Sequence, residues 1–177
     1  MSQDYNISVQ GQAYLLRPDT PKEGIIRQPR PGETEDRLSD PLGGQASEAN
    51  LVMRPPKVTP NTMYILEATE YAQRQGKFME FHHAAYKAYW EDGLDLGDLA
   101  VIEGLAQQVS LNSTELLEGL ESRLYTPAVM EQYQQALGQG IRGIPTFVVG
   151  KLLFTGAHPY EIFQSAMSKA LEAPATQ

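Results

Sequence analysis

Residues 142–159 read RGIPTFVVGKLLFTGAHP, and they constrain the fold more than any other stretch. Two runs rich in β-branched, aromatic and other apolar residues, Thr146–Val149 and Leu152–Thr155, are joined by Gly150-Lys151 alone. Such runs across a two-residue, glycine-led link form a β-hairpin on a primed turn. The short link leaves one register. Val149 pairs with Leu152, Thr146 lies opposite Thr155, and Pro145 lies opposite Gly156. Ile144, Pro145 and Thr146 therefore meet Gly156, Ala157 and His158 at one end of the ribbon. Pro159 then opens a final helix carrying Ile162, Phe163, Ala166, Met167 and Leu171. The free N–H groups at its start favour an anion at the same end. The tail EAPATQ is expected to fray.

Upstream, 6–16 alternates: Ile7, Val9, Ala13 and Leu15 on one face, Ser8, Gln10 and Gln12 on the other. Period two predicts a strand. Residues 17–60 hold eight of the twelve prolines, with Gly24, Gly32 and the Gly43-Gly44 pair. Such a stretch sustains neither a long helix nor a central strand. It is expected to lie over the surface or to be partly disordered, with short helical turns near 34–38 and 47–51.

From 59 to 140 the pattern is helical. Thr59-Pro60 reads as a cap and first helical residue, followed by a stripe of Met63, Ile65, Leu66, Tyr71 and Ala72. A second helix over 77–91 carries Phe78, Phe81, Ala85, Ala88 and Tyr89. A third starts near Asp98. Asn112 with Glu115 three residues on is a capping box. Thr126-Pro127 opens a fifth, which Gly138 and Gly140 can stop. Five short helices in succession predict a compact helical subdomain, without the period of a solenoid.

The chain has 177 residues, 41% hydrophobic and 20% charged, with net charge −8. That reads as one soluble globular domain and argues against a general nucleic-acid or anionic-membrane binder. No run approaches the length of a membrane span, and MSQDYNISVQ lacks the features of a secretory signal. A cytoplasmic location is the expectation. There is no cysteine, which excludes disulfides, thiolate metal sites and a cysteine nucleophile within these residues.

Gly-Ile-Arg-Gly-Ile-Pro-Thr-Phe at 140–147, the hairpin, and Thr-Gly-Ala-His-Pro-Tyr at 155–160 resemble the C-terminal end of the DsbA family, thioredoxin-like proteins with a helical insertion. The FrnE-like branch is the most similar, related to 2-hydroxychromene-2-carboxylate isomerases and kappa-class glutathione transferases. Tyr14-Leu15-Leu16-Arg17-Pro18-Asp19 resembles the second strand and its exit. Pro60-Asn61-Thr62 resembles the opening of the insertion, and the aromatic run from Phe81 to Trp90 its helix pair. The resemblance implies an α/β fold: a thioredoxin-like sheet with an inserted all-helical subdomain. The thioredoxin-like part comprises 1–58 and 141–177, with 17–58 a Pro/Gly-rich connection, and the insertion is 59–140. Taken alone, the Ile144-Pro145 bond reads as trans, since only about 5–6% of X-Pro bonds are cis in folded proteins. The resemblance implies cis, with the backbone of Ile144 offered to an extended substrate or thiol ligand.

Family members open with a strand, then Cys-X-X-Cys at a helix N-terminus, where the first thiol is held as thiolate. The isomerase and transferase branches place a serine there and bind glutathione. Here 1–5 leads directly into what resembles the second strand, so the sheet is expected to be incomplete, with its first β-α unit absent. Either 6–16 shifts to pair with Thr146–Val149, or a homo-oligomer completes the sheet.

The implied function is that of a thiol–disulfide oxidoreductase homologue without redox cysteines, and so without dithiol activity as this chain. Two alternatives stand beside it. One is a non-catalytic module that binds a peptide or partner at the proline loop. The other is a glutathione-binding isomerase or transferase relative, glutathione being the one cofactor admitted. No catalytic or metal-binding residue is assigned. The candidate ligand residues are Ile144, Pro145, Thr146, Gly156, Ala157 and His158. His82 and His83, adjacent and about 100° apart on a helix, read as structural. Glu67 and Glu70 read as a solvated face, and the Phe78, Phe81, Tyr86, Tyr89 and Trp90 stripe as core. Arg142 reads equally as an anion contact or as surface.

Overall fold

The structure is a computed structural model that describes residues 4–172. It is mixed α/β. A short strand β1 (Ile25–Ile26) and helix α1 (Leu42–Glu48) precede β2 (Val58–Thr59). Five helices follow: α2 (Met63–Arg74), α3 (Phe78–Trp90), α4 (Leu99–Gln108), α5 (Ser113–Glu121) and α6 (Thr126–Gly138). The chain ends in β3 (Thr146–Val149), β4 (Leu152–Thr155) and α7 (Tyr160–Glu172). It divides into two compact units, one of 1–16 with 132–177, the other of 17–131. The connection at 17–58, assigned above to the thioredoxin-like part, makes its contacts within the second unit.

In that second unit the apolar stripes of α2 to α5 close on one core. Tyr71, Phe81, Ile102, Leu116 and Leu120 are fully buried there, each worth about 1.5–3 kcal/mol against exposure. The helix start predicted near Asp98 forms, and so does the Asn112 half of the capping box. Asp98 accepts the Ala100 N–H at 2.8 Å, and Asn112 accepts the Glu115 N–H at 3.2 Å. Glu115 turns its carboxylate to the Tyr71 hydroxyl, 3.0 Å away. Burial and that bond push the Tyr71 hydroxyl up to about 12. At Gly119 a Cβ would stand 2.4 Å from the Tyr125 ring, so only glycine lets α5 approach that side chain.

The first helix of this group starts later than Thr59-Pro60 suggests. Thr59 is drawn into an antiparallel pair with Ile25, and α2 begins at Met63, whose N–H goes to Asn61 Oδ1 at 3.0 Å. The connection is also more ordered than its prolines suggest. Its helix lies at Leu42–Glu48, overlapping only the start of the second predicted turn, and contains the Gly43-Gly44 pair. The reason is a close approach: a Cβ on Gly43 would sit 2.2 Å from the Leu38 carbonyl oxygen. Backbone bonds from Arg27 N–H to Lys57 (2.9 Å) and from Arg54 N–H to Trp90 (2.8 Å) hold the stretch in place.

The other unit holds the hairpin and α7. Their contact is aromatic: Phe147 and Phe154 lie 5.5 Å apart, and Phe163 meets them edge-on at 4.8 and 5.2 Å. The strand predicted over 6–16 does not form. That segment joins no ladder, and β3 with β4 makes a sheet of two strands among the described residues. Period two tells which residues share a side but not what they pair with. Here a side chain takes the partner's place: Ala13 N–H donates to Gln132 Oε1 at 2.6 Å, and Tyr14 packs edge-on against Tyr133. Leu15 is buried, while Val9 is exposed. The tail from 173, read as fraying, lies outside the described residues.

Candidate functional site

The ribbon has the register that its link dictates: Thr146 opposite Thr155, Phe147 opposite Phe154, Val148 opposite Leu153, Val149 opposite Leu152. Gly150 takes the first place of the turn at φ +60°, a conformation that costs glycine nothing. At the far end, Gly156 N–H donates to the Pro145 carbonyl at 2.8 Å. The Thr146 hydroxyl donates to the Gly143 carbonyl (2.7 Å) and lies 2.8 Å from the Thr155 hydroxyl, which donates to it in turn. These bonds tie the proline loop to the strand that follows it. The Ile144-Pro145 peptide is cis.

All six candidate residues lie at this end. Ile144 is 48% exposed, and Pro145, Ala157 and His158 are exposed too. Thr146 and Gly156 are half-buried. His158 folds back on the ribbon, its Nε2 donating to the Thr155 carbonyl at 3.0 Å and its ring meeting Phe154 edge-on. Two residues on, Tyr160 begins α7 and gives its hydroxyl to the Asp4 carboxylate, which pushes that hydroxyl up to about 12. Arg142 binds the Leu137 and Ile141 carbonyls, both at 3.1 Å. It serves the C-terminal end of α6, where a cation is favoured.

Two readings of side chains change. Glu67 is not on a solvated face. It is fully buried, accepts the Thr126 hydroxyl, and meets Arg123 at 3.4 Å. Its partners lie 56 and 59 residues away in sequence, beyond the reach of helical spacing. Tyr86 is half exposed, so it belongs to the surface end of the aromatic stripe. Beside it, the His82 ring sits between Phe78 (5.2 Å) and Tyr86 (4.5 Å). Burial, with His83 next, lowers its pKa from the usual histidine value. No group of three metal-ligating side chains occurs among the described residues. No helix among them is long and apolar enough to cross a membrane.

One feature of the ribbon had a signal in the sequence that the strand pattern alone did not bring out. Val148 and Leu153 face away from Phe147 and Phe154, and they are 59% and 46% exposed. The ribbon therefore presents apolar side chains on both of its faces.

Residues 1–168 match the family described as the DSBA-like thioredoxin domain. YwbO of Bacillus subtilis (strain 168) is 24% identical over 152 residues, 79% of this chain and 76% of that protein. A probable DsbA oxidoreductase from Streptomyces coelicolor shares the fold at a TM-score of 0.72 and 24% identity, over 78% of this chain and 61% of that one. A 2-hydroxychromene-2-carboxylate isomerase does so at 0.66 and 17% identity, over 73% of this chain and 64% of that one. The chain thus spans a little over three-fifths of either solved structure. With the family match running over almost all of its length, the chain belongs to the DSBA-like thioredoxin family.

Proposed function

We propose that this chain is an FrnE-like member of the family that holds an extended peptide or thiol ligand against its proline loop and performs no dithiol chemistry with its own residues. The observation that carries this is the exposed Ile144 and Pro145 at the end of a ribbon whose β3 pairs only with β4 among the described residues. Such an edge accepts an added strand through backbone bonds. Thiol–disulfide exchange begins when a thiolate attacks a disulfide sulfur. The 177 residues contain no thiol to do so, their only sulfur being methionine thioether. A second copy that covers Val148 and Leu153 and extends the sheet is compatible with the same reading, as is work in the cytoplasm.

The test uses the whole chain. Insulin reduction should not rise above the rate of dithiothreitol alone, while a labelled, extended peptide with alkylated cysteines should bind saturably. Insulin reduction by the chain itself would overturn the first half, and absence of saturable binding the second. A second reading, a glutathione-binding isomerase or transferase relative, draws on the likeness to the chromene-carboxylate isomerase. It requires glutathione to raise the melting temperature, since a ligand that binds only the native state stabilises it.

A further inference from the structure

A cavity of about 350 Å³ opens within the helical unit, lined by Lys22, Asn61, Met63, Tyr64, Gly97, Arg123 and Thr126. Its volume is at the small end of the range for organic ligands, about 300–1,000 Å³. It lies inside the 17–131 unit, whereas the proline loop belongs to the other. The two charged side chains on its wall are both cations, in a chain of net charge −8.

Three of the polar residues on the wall can be followed to their partners. Asn61 spends its amide internally, Nδ2 donating to the Thr20 carbonyl at 2.6 Å and Oδ1 accepting the Met63 N–H at 3.0 Å. The Thr126 hydroxyl donates to buried Glu67. The Gly97 N–H goes to Asp95 Oδ1 at 2.8 Å. The two cations on the wall are less fully engaged. Lys22 makes no ion pair among the described residues, and Arg123 pairs only with Glu67, through one nitrogen at 3.4 Å. A guanidinium carries five N–H donors in a planar fork that suits a carboxylate or phosphate. This fork is held in place on two sides: Glu67 anchors one nitrogen, and the Tyr64 ring lies 4.4 Å below. Met63 and the Tyr64 ring supply an apolar wall beside it.

From this we infer that the cavity binds a small organic anion, a compact carbon body bearing a carboxylate or phosphate. The head group lies between Arg123 and Lys22, and the body lies against Met63 and Tyr64. Glu67 positions the arginine from behind and does not touch the ligand.

The test titrates the ¹⁵N-labelled full chain with succinate and, separately, inorganic phosphate, at constant ionic strength made up with sodium chloride. The amides of Lys22, Tyr64 and Gly97 should shift and saturate, and the probe with the tighter curve identifies the head group. Lys22→Glu removes an exposed, unpaired cation and leaves the fold intact; it should weaken binding by about tenfold or more. Arg123→Lys keeps the charge and loses the fork, and should also weaken it. Shifts that never saturate, shifts reproduced by chloride alone, or equal affinity in Lys22→Glu would each overturn the inference.

Discussion

The N–H of Gly156 donates to the carbonyl of Pro145 at 2.8 Å, so the loop before β3 and the turn after β4 are one bonded unit. Gly156 holds φ +108°, a region that residues with a Cβ avoid. Gly156→Ala meets no crowding, its nearest neighbour being His158 Nε2 at 3.7 Å. The cost is therefore backbone strain, on the order of 1–2 kcal/mol, read as a lower urea midpoint.

Inside the helical unit, Gly119→Ala should cost more than helix propensity predicts. Alanine ordinarily favours a helix, but here the added methyl lies 2.4 Å from the buried Tyr125 ring. Overpacking of this kind costs about 1–3 kcal/mol. Thermal unfolding should show a loss, where propensity alone predicts a gain of about 1 kcal/mol.

Buried Glu67 rests on Thr126 and Arg123. Thr126→Val removes a donor to a carboxylate with no exposure, and the expected loss is about 1–3 kcal/mol. Thr126→Val combined with Glu67→Leu should recover much of it, because no buried charge is then left without its partner. A double-mutant cycle in urea measures the coupling. Additive losses would contradict this account of Glu67.

The His82 imidazole is pushed below the ordinary histidine value, first by burial and then by neighbouring His83. The unfolded chain therefore binds the proton more readily than the folded one, and stability rises with pH through this window. It is fully present above about pH 6.5, the unfolded value, and is lost as pH falls through the lower folded value. Chemical denaturation between pH 7.5 and 5 should show this decline, and His82→Gln should flatten it.

The hairpin was legible because its evidence is local: Gly150-Lys151 leaves one register, and that register follows. The helix start near Asp98 and the Asn112 cap were legible for the same reason, each acting within three residues, whereas the turn of Glu115 to Tyr71, 44 residues away, was not. Residues 6–16 were not, since their alternation carries no information about a partner, and the Gln132 side chain stands where a strand would pair. Gly43 and Gly44 read as breakers because nothing local shows the Leu38 carbonyl that needs the space. At the candidate site, the register brought Pro145 to Gly156. The return of His158 onto the Thr155 carbonyl depends on a turn that residue types alone do not specify.

The most direct test of the proline loop as a ligand surface is fluorescence polarisation of a labelled, extended, cysteine-alkylated peptide against the native chain and Pro145→Ala. The account predicts saturable binding by the native chain, weakened about tenfold or more in the variant, with the unfolding of the helical unit unchanged. Equal affinity in the two proteins, or no saturable binding by the native chain, would contradict it.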